Sequence, residues 1–121
     1  MADHSGDSRA LCLFCRIIDG EIPATRIAES GEALAFRDIN PQGPTHVVVI
    51  PKRHVATVVG LAAASAQELQ ALFALAGQVA VDEGLDAGYR MVTNTGGHAG
   101  QTVFHAHVHL IGGRPLGWPP G

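Results

Sequence analysis

A short segment near the C-terminal end of the chain carries four of its seven histidines. The segment has the sequence GGHAGQTVFHAHVHLIGG, in which His105, His107 and His109 alternate with small or apolar residues. Successive side chains of a β-strand point to opposite faces, so an extended conformation aligns these three imidazoles on one face and places an apolar face behind them. Such a row suits metal ligands, a catalytic nucleophile with its helpers, or the polar residues of a solvent-exposed face.

The three interpretations differ in how well they account for histidine. An exposed strand face normally carries Thr, Lys, Glu and Arg, since histidine has no special preference for strands. A three-histidine metal site is strained, because the outer two Cα atoms of the row lie roughly 13 Å apart; two strand histidines with a ligand from elsewhere are more natural. In the catalytic interpretation a neutral imidazole attacks phosphorus, and its neighbours set its tautomer and handle the leaving group's protons.

A glycine-rich run, NTGGHAGQT, precedes the histidines. Three glycines in nine residues allow backbone N–H groups to turn inward and form a concavity that holds an anion. The run is not a P-loop, because it lacks the Lys-Ser/Thr ending and leads into a predicted strand. An ordinary connecting loop is the alternative. The polar side chains of Gln101 and Thr102, next to the histidine face, favour a phosphate-binding site.

The only two cysteines, Cys12 and Cys15, are separated by two residues. They have three interpretations: half of a zinc site, a redox pair, or two buried thiols. No thioredoxin-like βαβ pattern surrounds them, which disfavours a redox pair. Zinc would need two further ligands to complete a tetrahedron.

The remaining pattern predicts the elements that must position these side chains. LCLFCRIIDGEIP indicates one short helix, and TRIAE with ALAFRD indicates a β-hairpin. A β-branched strand follows in PQGPTHVVVIPKRH, and a capping box at Ser65 and Glu68 begins an amphipathic helix that stops at Gly84. YRMVTN and TVFHAHVHLIG indicate two more strands. We expect an α+β fold: an antiparallel sheet of about five strands with one long and one short helix. Residues 1–10 form a flexible N-terminus in this prediction, and residues 11–121 a single domain.

Composition excludes several classes of function. The chain has 121 residues, 46% of them hydrophobic and only 16% charged, which is typical of one globular domain. Its net charge is −3 and its basic residues are scattered, which argues against nucleic-acid binding. The longest apolar stretch is interrupted by polar residues, so we expect no membrane association. The segment MADHSGDSRA does not resemble a signal peptide, so we expect a cytoplasmic protein whose cysteines stay reduced.

The histidine segment, HAHVHLI, matches the pattern His-φ-His-φ-His-φ-φ, the signature of the histidine triad superfamily. The similarity extends to FRDINPQGPTHVVVIPKRH, GYRMVTNTG, GQTVFHAHVHLIGGR and the final WPPG. Together these blocks resemble the Hint branch, whose members are purine nucleoside phosphoramidases. Four blocks in order, over nearly everything after residue 10, are far more specific than an isolated HxHxH. The resemblance implies a homodimer of α+β protomers that hydrolyses a purine nucleoside monophosphate joined to an amine, without a cofactor in the chemistry.

The resemblance also assigns roles to residues. His107 would attack the α-phosphorus and form a nucleotidyl-histidine, which water then hydrolyses. His109 would contact the phosphate, and His46 would support the cluster from an adjacent strand. The residues implied in the chemistry are His107, His109, His46 and Thr102. Those implied in nucleotide binding are Asp38 at the ribose, Ile39 at the base, Asn94, Gly100, Gln101, Thr102, His107 and His109 at the phosphate and leaving group, and Trp118 near the partner protomer's site. The family usually has Ser where this chain has Thr102, which crowds the leaving-group side by one methyl group.

For the cysteines the resemblance supplies the missing ligands. Several histidine triad proteins, like the related galactose-phosphate uridylyltransferases, hold zinc with such a pair and two histidines. The corresponding residues here are Cys12, Cys15, His54 and His105, and the zinc would be structural. Two other kinds of function stay open. One is a different reaction of the superfamily, either cleavage of dinucleoside polyphosphates or nucleotidyl transfer. The other is a non-catalytic nucleotide- or zinc-binding interaction protein.

Overall fold

The computed structural model describes residues 9–121. The predicted flexible segment, residues 1–10, therefore lies outside the described residues except for its last two. Those two begin a short 3-10 helix, Arg9–Leu11, which leads into the first α-helix. Among the described residues, no helix is long and apolar enough to cross a membrane.

Five strands form one open sheet in which every neighbouring pair is antiparallel, in the order β1-β2-β3-β5-β4. Their bounds are β1 Arg26–Glu29, β2 Ala33–Arg37, β3 Thr45–Pro51, β4 Tyr89–Val92 and β5 Val108–Gly112. The sheet and the helices confirm the predicted α+β class. The central strand β3 pairs with β2, which precedes it in the sequence, and with β5, which lies near the C-terminal end of the chain. Residues far apart in the sequence therefore become neighbours in the sheet.

Three α-helices accompany the sheet, one more than predicted: α1 Leu13–Ile18, α2 Val58–Ala64 and α3 Ala66–Asp82. The additional helix is α2, whose Gly60 and β-branched valines lower intrinsic helix propensity. Thr57 compensates as its N-cap, since its hydroxyl accepts from the Gly60 N–H at 3.0 Å. Ser65 caps α3 as predicted, accepting from the Glu68 N–H at 3.1 Å. The Glu68 carboxylate does not complete the capping box and pairs with Arg53 instead.

Apolar side chains cover both faces of the sheet. On one face α3 packs on alternate residues of β2, β3 and β5, together with α2. On the other face α1 packs through Phe14 and Ile17 on Leu34, Phe36 and Val48. Because a strand's side chains alternate, His46 and His109 lie on the α1 face, while their neighbours lie on the α3 face. The sheet therefore presents these polar side chains beneath α1.

The last strand is shorter than the sequence predicts. The pattern indicated a strand from Thr102 onward, but β5 begins only at Val108. The preceding residues are held by the loop after β3: the Ala106 N–H donates to the Val55 carbonyl oxygen at 2.7 Å rather than to a ladder partner. The alternation nonetheless holds, since Ala106, Val108 and Leu110 are buried in the core under α3.

Candidate active site and metal centre

His107 is the buried centre of the candidate active site. Its Nδ1 lies 2.7 Å from the His105 carbonyl oxygen. A carbonyl oxygen can only accept, so Nδ1 carries the proton and Nε2 keeps its lone pair. Burial lowers the pKa of His107, although the bond to the His105 carbonyl acts in the opposite direction. The imidazole is therefore neutral near pH 7, with one nitrogen available for nucleophilic attack.

A second pair of histidines, contributed by β3 and β5, lies beside it. The Gln42 N–H donates to His46 Nδ1 at 3.0 Å, so the His46 proton lies on Nε2. That Nε2 is 2.9 Å from Nδ1 of His109, which must accept, leaving the His109 proton on Nε2. The ring centroids of His107 and His109 lie 5.0 Å apart. Burial, followed by the neighbouring histidines, lowers the pKa of His109 to about 4, and burial lowers that of His46.

Asp38 completes this group, which we call the relay cluster: Asp38, His46 and His109. Asp38 Oδ2 lies 3.4 Å from His46 Nε2 and 3.9 Å from His109 Nδ1. Its Oδ1 accepts from the Asn40 N–H at 2.8 Å, which orients the carboxylate after β2 ends. Each carboxylate oxygen has a second lone pair, so Asp38 retains acceptor capacity for a ligand hydroxyl.

A cavity of about 440 Å³ opens in front of His107 and the relay cluster. Most of its lining is apolar and comes from α1, the segment after it, and β2 and β3. The apolar lining residues are Leu13, Phe14, Ile17, Ile22, Pro23, Ala24, Phe36, Ile39, Val48 and Val103. The polar lining residues are Arg37, Asp38, Gly100, Thr102, His107 and His109. A cavity that combines a largely apolar lining with a few polar groups suits a molecule that joins a flat ring to a phosphate.

The glycine-rich loop is organised by Gln101. Its Oε1 accepts from the Gly96 N–H at 2.9 Å, and its Nε2 donates to the Ala56 and Val103 carbonyls. Its own N–H donates to the Gly96 carbonyl. Every donor of Gln101 is thus used within the protein, so this residue shapes the loop rather than offering a donor to a ligand. Gly100, at φ 95°, adopts the left-handed conformation that glycine allows.

Three predicted ligand-binding residues do not line the cavity of their own chain: Gln101, described above, Asn94 and Trp118. Asn94 lies past the end of β4 and is half-buried. Trp118 is 82% exposed. Ile39 is at the cavity but only at its rim, since its side chain is 99% exposed.

The predicted metal ligands come together in a second group, the metal cluster: Cys12, Cys15, His54 and His105. Cys15 Sγ lies 3.3 Å from His54 Nδ1 and 3.5 Å from His105 Nδ1, and the two Nδ1 atoms are 3.3 Å apart. Cys12 Sγ is 3.5 Å from His105 Nδ1. At zinc bond lengths and tetrahedral angles, ligand atoms stand roughly 3.4 Å apart for two nitrogens and roughly 3.6 Å for sulfur and nitrogen. The spacing of the four side chains fits zinc.

The protons of this cluster support the same conclusion. His105 Nε2 lies 2.8 Å from the Pro51 carbonyl, which places the proton there and directs the Nδ1 lone pair into the cluster. A backbone carbonyl on the outer nitrogen is a common arrangement for metal-bound histidine. The His105 carbonyl, in turn, accepts from His107 Nδ1. The metal cluster and the candidate nucleophile are therefore separated by a single residue and one hydrogen bond.

Sequence reasoning missed three features of the site. It did not identify the apolar lining of the cavity, although Phe14 and Ile17 share one face of the predicted short helix. It also missed the two backbone groups that set histidine tautomers, the Gln42 N–H and the Pro51 carbonyl. No side-chain signal marks either of these, because any residue supplies a backbone group.

The chain is similar to known proteins over most of its length. Residues 19–116 match the family model described as HIT domain. A 14 kDa zinc-binding protein from Zea mays is 49% identical over 112 residues, covering 90% of this chain and 87% of that protein. An adenylylsulfatase HINT1 from Arabidopsis thaliana is 47% identical over 112 residues, covering 90% of this chain and 76% of that one.

Solved structures place the fold in the same group. A HIT family hydrolase from Legionella pneumophila Philadelphia 1 superposes with a TM-score of 0.87 at 49% identity, covering 91% of this chain and 99% of the other. The family match spans most of the chain, and the relatives approach half identity. This chain belongs to the HIT domain family.

Proposed function

We propose that the protein hydrolyses a nucleoside 5′-phosphoramidate, cleaving the P–N bond between a purine nucleoside monophosphate and an amine. The observation that carries the proposal is the free Nε2 of His107. The His105 carbonyl holds its proton on Nδ1, and the ring lines a cavity together with apolar side chains and the polar residues Asp38, Thr102 and His109. In the proposed complex the base packs on the apolar lining and the phosphate lies beside this nitrogen.

The reaction would proceed in two steps. In the first, His107 Nε2 attacks phosphorus and the P–N bond breaks, while His109 Nε2–H donates a hydrogen bond on the leaving-group side and the departing amine takes its proton from solvent. In the second, water attacks phosphorus, the P–Nε2 bond breaks, and the nucleoside monophosphate leaves. The proton released by water returns to solvent. A neutral His107 suits both steps, since it is nucleophilic when it attacks and a good leaving group once phosphorylated.

The rest of the cavity would hold the nucleotide. The Asp38 carboxylate accepts hydrogen bonds from ribose hydroxyls, and Ile39 covers the base at the rim. Gly100 and Thr102 face the phosphate and the leaving group, with Asn94 as a further donor. Ten of the sixteen residues that line the cavity are apolar, so we expect burial of the ring rather than hydrogen bonds to its edge to dominate binding of the base.

Mass spectrometry of the intact protein tests the covalent step. After mixing with a slow purine nucleoside phosphoramidate, we expect the protein mass to increase by one nucleotidyl group, and His107→Asn to show no increase. Dinucleoside polyphosphates and adenylyl sulfate, tested in parallel, address the other reactions of the superfamily; the second is included because an Arabidopsis relative is named an adenylylsulfatase. Nucleotide binding without an adduct or turnover on any of these substrates would leave an interaction protein as the function.

We also propose that the metal cluster holds one structural zinc ion per chain. Burial, with Cys12 beside it, raises the pKa of the Cys15 thiol to about 12, so zinc binding must displace a proton there. The ion would join α1 to the residues before β5 and would take no part in the chemistry. A cytoplasmic location, which we propose as well, keeps both thiols reduced and available. The Zea mays relative's name as a zinc-binding protein supports the assignment.

Finally, we propose a homodimer in which Trp118 lies near the partner's His107. Strand β4 is at the edge of the sheet, and Trp118 is exposed and absent from the cavity of its own chain. An amphipathic ring gains most from a packed surface, so a partner protomer is a reasonable place for it. Deleting residues 115–121 should change the preference for the leaving amine while sparing nucleotide binding. An unchanged substrate profile, or a monomer by sedimentation at micromolar concentration, would contradict the dimer.

A further inference from the structure

The turn between β2 and β3 connects the relay cluster to the C-terminal segment. Gln42, in this turn, uses its backbone in two directions. Its N–H donates to His46 Nδ1 at 3.0 Å, and its carbonyl oxygen accepts from Arg114 Nη2 at 2.9 Å. Arg114 follows β5 by two residues, so the strand that carries His109 leads directly to the side chain that holds the turn.

The turn is packed closely against the end of β5. A Cβ atom added to Gly43 would lie 3.0 Å from Ile111 Cγ2, and one added to Gly113 would lie 2.9 Å from Pro44 Cβ. Both glycines therefore allow an approach that other residues would obstruct. The hydrogen bond from Arg114 to the Gln42 carbonyl oxygen also fixes the orientation of the peptide group between Gln42 and Gly43.

From these contacts we infer that Arg114 is a positioning residue for the reaction: by holding Gln42 it fixes the tautomers of His46 and His109. The inference rests on the proposed function only for its kinetic consequence. When the Gln42 N–H faces His46 Nδ1, the His46 proton must be on Nε2, and the His109 proton must be on Nε2 as well. Without that donor, only the Asp38 carboxylate, 3.4 Å from Nε2, still favours this form, so the second neutral form of His46 becomes populated.

Loss of the Gln42 contact would change His109 directly. A His46 ring with its proton on Nδ1 points a lone pair at His109 Nδ1 across 2.9 Å. The pair then separates, or the His109 proton moves to Nδ1 to restore the bond. In the second case His109 no longer presents an N–H to the phosphate and the leaving amine. Arg114 thus acts on the reaction through two histidines without contacting the substrate.

Nitrogen NMR of the free protein, labelled with ¹⁵N-histidine, tests this without any substrate. Ring-nitrogen shifts distinguish protonated from unprotonated nitrogen. We expect one Nε2–H form for both His46 and His109 in the unchanged protein, and a mixture at His46 in Arg114→Gln. Arg90→Gln is the matched control. Its guanidinium also donates to a backbone carbonyl of the C-terminal segment, that of Gly117 at 2.7 Å, but that residue has no bond to the relay cluster.

Kinetics provide the second measurement. Arg114→Gln should lower kcat about tenfold with little change in KM, since it alters the hydrogen bond that His109 donates and not the cavity. Arg114→Lys, which can still donate to the Gln42 carbonyl, should recover part of the loss and most of the Nε2–H form, and it serves as the readout if the Gln variant unfolds. The inference is overturned by Nδ1–H at His46 in the unchanged protein, by unchanged shifts in Arg114→Gln, or by the same mixture in Arg90→Gln. If no phosphoramidate is hydrolysed at all, the proposed function fails and the NMR result still decides the role of Arg114.

Discussion

The metal cluster and the relay cluster share one short segment, yet they use histidine in opposite ways. His105 belongs to the first and His109 to the second, four residues apart, and both rings are largely buried with a pKa lowered to about 4. In the metal cluster, lone pairs converge: two Nδ1 atoms face each other at 3.3 Å with sulfur beside them. In the relay cluster, donors and acceptors alternate along a chain that begins at the Gln42 N–H.

The difference shows how each ring is set. The hydrogen bond made by the ring nitrogen that points away from a cluster decides whether the other ring nitrogen carries a proton or a lone pair. Asp38, His46 and His109 also lie close enough together to hold a metal ion. However, the Gln42 N–H occupies His46 Nδ1 and keeps a proton on Nε2, so the nitrogen that would face the metal has no free lone pair. In the metal cluster the Pro51 carbonyl has the reverse effect on His105. The backbone donor at His46 leaves an N–H facing its cluster, and the backbone acceptor at His105 leaves a lone pair facing its cluster.

The largest expected effect separates chemistry from stability. In His107→Asn, turnover of a nucleoside phosphoramidate should fall by at least about a thousandfold, because the attacking nitrogen is lost. The asparagine amide can still donate to the His105 carbonyl, so the melting temperature should change by only a few degrees. Activity assays and thermal unfolding of the same preparation measure both. Turnover close to that of the unchanged protein would exclude covalent catalysis through His107.

The metal cluster should show the reverse behaviour. Cys15→Ser removes a buried ligand, and we expect loss of bound zinc and a melting temperature lower by roughly 10 °C. A chelator should destabilise the unchanged protein and have almost no further effect on the variant, which is the internal control. Equal zinc content in the two proteins, or no metal in the unchanged protein purified under reducing conditions without chelator, would contradict the assignment.

Acidification provides a smaller test on the relay cluster. The folded-state pKa of His109 is about 4 and the unfolded value about 6.5. Between these values the unfolded chain binds more protons, so the stability contributed by neutral His109 is complete above about pH 6.5 and is lost as the pH falls toward 4. We expect His109→Gln to reduce the fall in melting temperature between pH 7 and pH 5 by about 4 °C at most, because the ring is partly exposed. Identical pH dependence in both proteins would show that His109 contributes nothing to it.

The smallest expected effect concerns the open side of the active site. Thr102→Ser removes one methyl group at the cavity. We expect kcat/KM to rise about threefold for a substrate with a bulky leaving amine and to stay unchanged for a small one. A uniform change for both substrates would mean that the methyl group does not contact the leaving group.

Parts of the fold were predictable because they depend on local patterns. The α+β class and the capping of α3 by Ser65 follow from periodicity and capping chemistry, and the structure confirms them. The start of β5 and the helix α2 were predicted incorrectly. Val55 lies far from Ala106 in sequence, yet its carbonyl oxygen accepts the Ala106 N–H, so the backbone before Val108 does not pair with a neighbouring strand. Thr57 begins a helix that the composition of its first turn disfavours.

For the site, the sequence by itself determined which side chains are available and which face of the sheet they occupy. The period of a strand places His105, His107 and His109 opposite the core, and Cys12-x-x-Cys15 places two thiols at the start of one helix. Only the tertiary structure decided what each histidine does. That outcome depends on which ring nitrogen meets a backbone N–H and which meets a carbonyl, and these groups come from Gln42, Pro51 and His105 itself. Every residue type supplies a backbone carbonyl and almost every one an N–H, so no pattern of side chains records the choice.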